Sequence, residues 1–169
     1  MSNIVLIGMP GCGKSTVGVL LAKALGMSFV DTDVVLQARE GQKLQKMIDR
    51  IGVDAFLRRE EETVLRLNCE KTVIATGGSV VYGARAMAHL HAHGKVIYIR
   101  VPYQEIERRL SNLATRGVTL REGQTLRNLY DERVPLYEAQ ADAVLDAANQ
   151  DIERTLGKLV RLLGEMGDA

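Results

Sequence analysis

The stretch GMPGCGKST, residues 8–16, directly follows the apolar run NIVLI at 3–7. Gly8, Gly13, Lys14 and Ser15 satisfy the pattern G-x-x-x-x-G-K-[ST], whose backbone cradles phosphates. Its glycines let main-chain N–H groups turn inward and approach phosphate oxygens closely. A helix predicted from Ser15 to Leu25 would aim its positive end at the same anion. Lys14 can then reach the β- and γ-phosphates, and the Ser15 hydroxyl can ligate Mg²⁺. Cys12 fills a variable position and reads as a small packing residue. The nucleotide-binding set is therefore Gly11, Cys12, Gly13, Lys14, Ser15 and Thr16, and the expected cofactors are ATP and Mg²⁺.

A strand must precede such a loop, and IVLI (4–7) is a continuous apolar run suited to burial on both faces. Four more short apolar runs follow: SFV (28–30), VIAT (73–76), VIYI (96–99) and AVLD (143–146). Helical periods separate them. Residues 34–68 read as helical throughout, with breaks near Gly41 and Gly52. A helix over 83–93 should be capped at its end by Gly94. Pro102 opens another, and an amphipathic helix over 151–165 closes the chain. The polar, glycine-containing stretch ATRGVTLREG (114–123) reads as a mobile lid loop. This alternation predicts one α/β domain over 1–169, a parallel five-stranded sheet flanked by helices.

The bulk composition narrows the function. The chain's 169 residues are 46% hydrophobic and 25% charged, with a formal net charge of +1. So balanced a surface gives no electrostatic reason to expect nucleic acid or a membrane as partner. Trp is absent and aromatics are only 4%, which disfavours a base-stacking platform. Cys12 and Cys69 lie far apart, so neither a disulfide scaffold nor a zinc site is expected. The amino terminus carries no basic leader, and a cytoplasmic monomer is the expectation.

Two carboxylates follow the second strand, in FVDTD (29–33). Asp31 and Asp33 lie two apart and point the same way, toward the sheet end where ligands collect. One can hold a Mg²⁺ water, and the other can orient a substrate hydroxyl and take its proton. The bland alternative is that Asp33 only caps the helix from Val34. His89 and His93 stand at metal-binding spacing, but no third ligand is evident and a solvated or capping role is expected. The run RREEE (58–62) reads as a solvated helix face.

Taken in order, GxxGxGKST, DTD, Phe56 and Glu60 after Gly52, TGGS (76–79), an arginine-bearing loop and RVPLY (133–137) resemble the shikimate kinase family over nearly the whole chain. The resemblance implies an ATP-dependent phosphotransferase of amino-acid biosynthesis. It would move the γ-phosphate to an alcohol of a small hydroxylated carboxylate. It implies Asp31 beside Mg²⁺, Asp33 on the acceptor ring, and Gly77 and Gly78 in the acceptor-binding turn. It further implies Arg109 and Arg116 at the nucleotide and the moving phosphoryl group, and Arg133 on the acceptor carboxylate. The catalytic set is then Lys14, Asp33 and Arg116, with the acceptor region at 34–68.

Departures from the family pattern cluster on the acceptor side. Leu57 stands at the position of a clamp arginine, with Arg58 as candidate replacement. Ser79 stands where a third glycine is usual, and could add a hydrogen bond to the acceptor. Gly117 replaces a lid proline. Losing one charged hydrogen bond weakens binding ~10- to 150-fold. These changes leave open a different hydroxy acid such as homoserine. A nucleotide monophosphate kinase or a non-catalytic nucleotide-binding regulator are further alternatives.

Overall fold

A computed structural model describes residues 2–111 and 117–167. Its centre is a sheet of five parallel strands: β1 (Asn3–Ile7), β2 (Ser28–Asp31), β3 (Thr72–Ala75), β4 (Gly94–Arg100) and β5 (Ala143–Asp146). Their spatial order is β2-β3-β1-β4-β5. Val5 of β1 aligns with Ile74 on one side and Val96 on the other. Every residue of β1 is buried, which explains its unbroken apolar run: helices cover both faces. The chain leaves β1 toward one edge of the sheet and later crosses to the other. That reversal opens a crevice beyond the carboxyl ends of β1 and β3, where ligands of such sheets bind.

Eight α-helices occur among the described residues. α1 (Lys14–Leu25) follows the phosphate loop. α2 (Thr32–Glu40), α3 (Leu44–Ile51) and α4 (Val53–Leu65) fill the predicted helical region. They break at Gly41 (φ 67°) and Gly52 (φ 81°), backbone conformations that cost a side chain energy. α5 (Ala84–His93) precedes β4, and α6 (Tyr103–Ser111), α7 (Leu126–Gln140) and α8 (Ile152–Glu165) complete the set. None is long and apolar enough to cross a membrane.

Two apolar nuclei hold the described residues together. The larger joins the sheet to α1, α5, α6, α7 and α8 through residues such as Leu6, Val17, Met87, Ile97 and Leu159. The smaller consists of Leu36, Leu44, Met47, Ile48 and Phe56, and belongs wholly to α2–α4.

Gly94 departs from the expected helix cap. Its φ is −166°, ordinary extended backbone, and no capping hydrogen bond is present. Glycine is needed there because a Cβ would stand 2.6 Å from the Asn3 carbonyl oxygen of the adjacent strand. The lid region is described only over 117–123. Its expected start at 114–116, including Arg116, lies outside the described residues.

Candidate active site

The phosphate loop is shaped by its glycines. Gly8, Gly11 and Gly13 have φ of 149°, 79° and 97°. A Cβ at Gly8 would stand 2.7 Å from the Ile99 carbonyl oxygen. Gly13 precedes α1 without any side-chain cap. The first N–H groups of α1 therefore have no capping side chain and suit an anion. Lys14 is 7% exposed, and its ammonium donates to the carbonyls of Gly8 at 2.7 Å and Met9 at 3.0 Å. It also lies 3.5 Å from the Cys12 sulfur. Cys12 itself is buried in the main nucleus, the packing role expected of it. Arg109 donates to the Gly11 carbonyl at 3.0 Å and pairs with Glu105, which stations it beside the loop.

Asp31 rather than Asp33 caps α2. Its Oδ1 accepts from the backbone N–H groups of Asp33 and Val34. Its Oδ2 accepts from the Ser15 hydroxyl at 2.5 Å. A hydroxyl and a carboxylate side by side next to a phosphate cradle are hard oxygen donors that fit Mg²⁺, which takes one or two protein ligands and fills the rest with phosphate and water. Asp33, relieved of capping, faces a cavity of about 150 Å³ that it shares with Lys14, Ser15, Glu60 and Arg133. Loss of solvent around its carboxyl, helped by the neighbouring Asp31 charge and opposed by Lys14, pushes its pKa to about 6.

The turn after β3 is braced from three sides. Thr76 donates its hydroxyl to the Leu6 carbonyl at 2.8 Å. Gly77 N–H donates to the Thr32 hydroxyl at 3.1 Å. The Tyr137 hydroxyl donates to the Gly78 carbonyl. A Cβ at Gly78 would collide with the Pro10 ring at 2.6 Å, so the turn can lie against the phosphate loop only as glycine.

Arg133, on α7, is 1% exposed. Its guanidinium donates to the Thr119 hydroxyl and, at 3.4 Å, to the Tyr82 hydroxyl. Thr119 arrives from the segment after Gly117. Gly117 has φ 64°, and a Cβ there would stand 2.6 Å from the Leu44 Cβ. Proline cannot adopt that φ, so glycine here permits the close seating of the segment on α3. An Arg121–Asp54 ion pair at 2.8 Å ties the same segment to α4, although both partners are solvated and the pair contributes little.

Arg58, the candidate replacement for the clamp arginine, is exposed and is not among the residues that line the cavity. Leu57 packs beside the α2–α4 nucleus and lines a neighbouring cleft with Tyr82, Thr119 and Arg121. The solvated-face reading of RREEE fails at Glu60, which is 4% exposed. Four residues after buried Phe56, it shares the inner face of α4, a periodicity that the surrounding charges masked. The ring nitrogens of His89 and His93 face backbone carbonyls.

Glu60 is the second strongly perturbed acid of the cavity. Burial, reinforced by the Asp33 charge, raises its pKa to about 7, against the Ser79 hydrogen bond, Arg133 and Lys14. Between about pH 4.5 and 7 the folded chain therefore holds a proton there that the unfolded chain has released. Folded stability must fall with rising pH across that window and level off above it. Glu60→Gln has no proton to lose. Its melting temperature, relative to wild type, is expected to climb from pH 4.5 to 7 and then stay constant. A difference that does not change with pH would contradict the assignment.

A shikimate kinase family model matches residues 10–163. The chain is 39% identical to the shikimate kinase of Thiobacillus denitrificans, covering 96% of this chain and 93% of that one. It is 41% identical to that of Paracidovorax citrulli, covering 85% and 81%. Shikimate kinase from Acinetobacter baumannii, solved in complex with shikimate, superposes with a TM-score of 0.90 at 28% identity over 98% of this chain and 94% of that one.

Proposed function

This chain belongs to the shikimate kinase family, and on that premise we propose that it transfers the γ-phosphoryl group of ATP to a ring hydroxyl of shikimate in the cavity described above. The observation that carries the reading is that Lys14, Asp33 and Arg133 open onto one cavity. Each addresses a different part of the reaction: the phosphate tail, the alcohol and the carboxylate.

In this reading the loop amides and Lys14 hold the β- and γ-phosphates. Asp33 accepts a hydrogen bond from the acceptor hydroxyl and takes its proton as the oxygen attacks the γ-phosphorus. The bond to the bridging oxygen breaks, and ADP and a phosphate ester result. Ser15 and Asp31 would hold Mg²⁺, which offsets phosphate charge when bound. Arg109 lies by the nucleotide, and Arg116 is assigned to the moving phosphoryl group. Gly77 and Gly78 let the acceptor approach the turn. Thr119 and its segment exclude water, which would otherwise compete for the phosphoryl group.

Arg133 is the arginine that lines the cavity among the described residues, so the acceptor carboxylate rests chiefly on it. Arg133→Met keeps the bulk and removes the charge. It is expected to raise the shikimate KM ~10- to 150-fold while the ATP KM stays put. An unchanged shikimate KM would remove the assignment.

Homoserine, a nucleotide monophosphate and a non-catalytic role are not favoured beside relatives of 39–41% identity that are shikimate kinases. The deciding assay is ADP release by the purified chain with shikimate, homoserine, AMP, CMP or UMP. Release that depends on shikimate supports the reading, and release with another acceptor instead ends it. The same reading makes the chain a cytoplasmic monomer, with one chain's mass expected by light scattering.

A further inference from the structure

Glu60 carries an unusual feature for so deeply buried a group. Its Oε1 accepts from the Ser79 hydroxyl at 2.7 Å, but its Oε2 is buried without any partner among the described residues. A buried carboxyl oxygen left unsatisfied costs stability. Retaining one is explicable where a ligand completes the bond. Oε2 lies on the acceptor side of the site. It and Asp33 Oδ1 crowd the same side of Gly77, where a Cβ would meet both, and all three residues line the same cavity.

Ser79 decides which oxygen is left free. Its side chain is 5% exposed, and its single hydroxyl proton is committed to Oε1. A glycine at this position would have no such group. Leu57, one turn before Glu60 on α4, carries no charge that could hold the carboxyl from that side.

We infer that Ser79 is a positioning residue for acceptor recognition: its hydroxyl pins one oxygen of Glu60 so that the other meets a second hydroxyl of the acceptor, next to the one held by Asp33. The inference rests on the functional reading above and deepens it. Two carboxyl groups from α2 and α4 converge at one glycine, and two hydroxyls on neighbouring carbons are the matching ligand. Ionised, Oε2 accepts the hydroxyl hydrogen. Protonated, with Ser79 on Oε1, it donates to the hydroxyl oxygen. Arg133, Lys14 and Asp33 are the charged groups that face Glu60.

The test compares shikimate with a deoxy analogue lacking the hydroxyl next to the phosphorylated one, using the full chain with saturating ATP and Mg²⁺. Wild type is expected to prefer shikimate ~5- to 150-fold in kcat/KM, the cost of leaving one buried hydrogen-bonding partner unsatisfied. Ser79→Ala and the smaller Ser79→Gly are expected to lose most of that preference. The loss should lie in the shikimate KM, with the ATP KM unchanged and an ATP analogue still raising the melting temperature. A purely structural role would lower activity on both acceptors alike. If either variant binds the ATP analogue yet keeps the wild-type preference, or if wild type shows none, the inference is overturned. A wild-type chain inactive on shikimate overturns the functional reading and this inference with it. An active chain whose Ser79 variants discriminate as before overturns this inference alone.

Discussion

Lys14→Ala is expected to lower kcat about 10²- to 10³-fold, the effect of removing one preorganised charge from a developing anion. The ammonium already sits at the loop, bonded to two of its carbonyls, so it needs little reorganisation when phosphate arrives. Truncation frees those carbonyls to water or to the loop's own amides. The melting temperature should therefore move by only a few degrees, while the stabilisation by an ATP analogue shrinks. Steady-state turnover and thermal melts on the same preparation separate the two effects. A variant that retains a tenth or more of wild-type kcat would show that Lys14 does not face the transferring group.

Asp33→Asn should cost about 10²- to 10⁴-fold in kcat, the range for a positioned general base. Its signature is the opposite sign of its effects on activity and stability. Desolvation and Asp31 already disfavour the Asp33 charge, so a neutral amide of the same shape relieves an unfavourable interaction. At neutral pH the variant should melt at or above the wild-type temperature while turnover collapses. A variant that loses stability along with activity would point to a structural role, and unchanged kinetics would end the base assignment.

The sheet was legible because each strand is bounded by apolar run length and by glycine or a polar turn. Strands β1 to β5 fall within two residues of the runs that predict them. The phosphate loop was equally clear, since its chemistry is written in consecutive residues. Breaks at Gly41 and Gly52 were visible for the same local reason. The acceptor half was less so. Which aspartate caps α2 depends on where that helix begins: Thr32 rather than Val34 makes Asp31 the cap and frees Asp33. Glu60 hid in a charge run because burial is decided by what α4 packs on, information carried by other segments. Leu57 and Arg58 differ by one step along that helix, and only the packed structure tells which face each occupies. The Thr119–Arg133 contact joins positions that no local pattern connects.

The small nucleus of Leu36, Leu44, Met47, Ile48 and Phe56 has an evolutionary corollary. In the proposed reading, the helices beside the acceptor have a packing centre of their own, apart from the one that stabilises the phosphate loop and sheet. Drift on that side can reshape the selectivity wall while the triphosphate grip stays rigid. A lineage of such proteins can thus acquire new acceptors by repacking one three-helix cap, with the engine for phosphoryl transfer inherited intact.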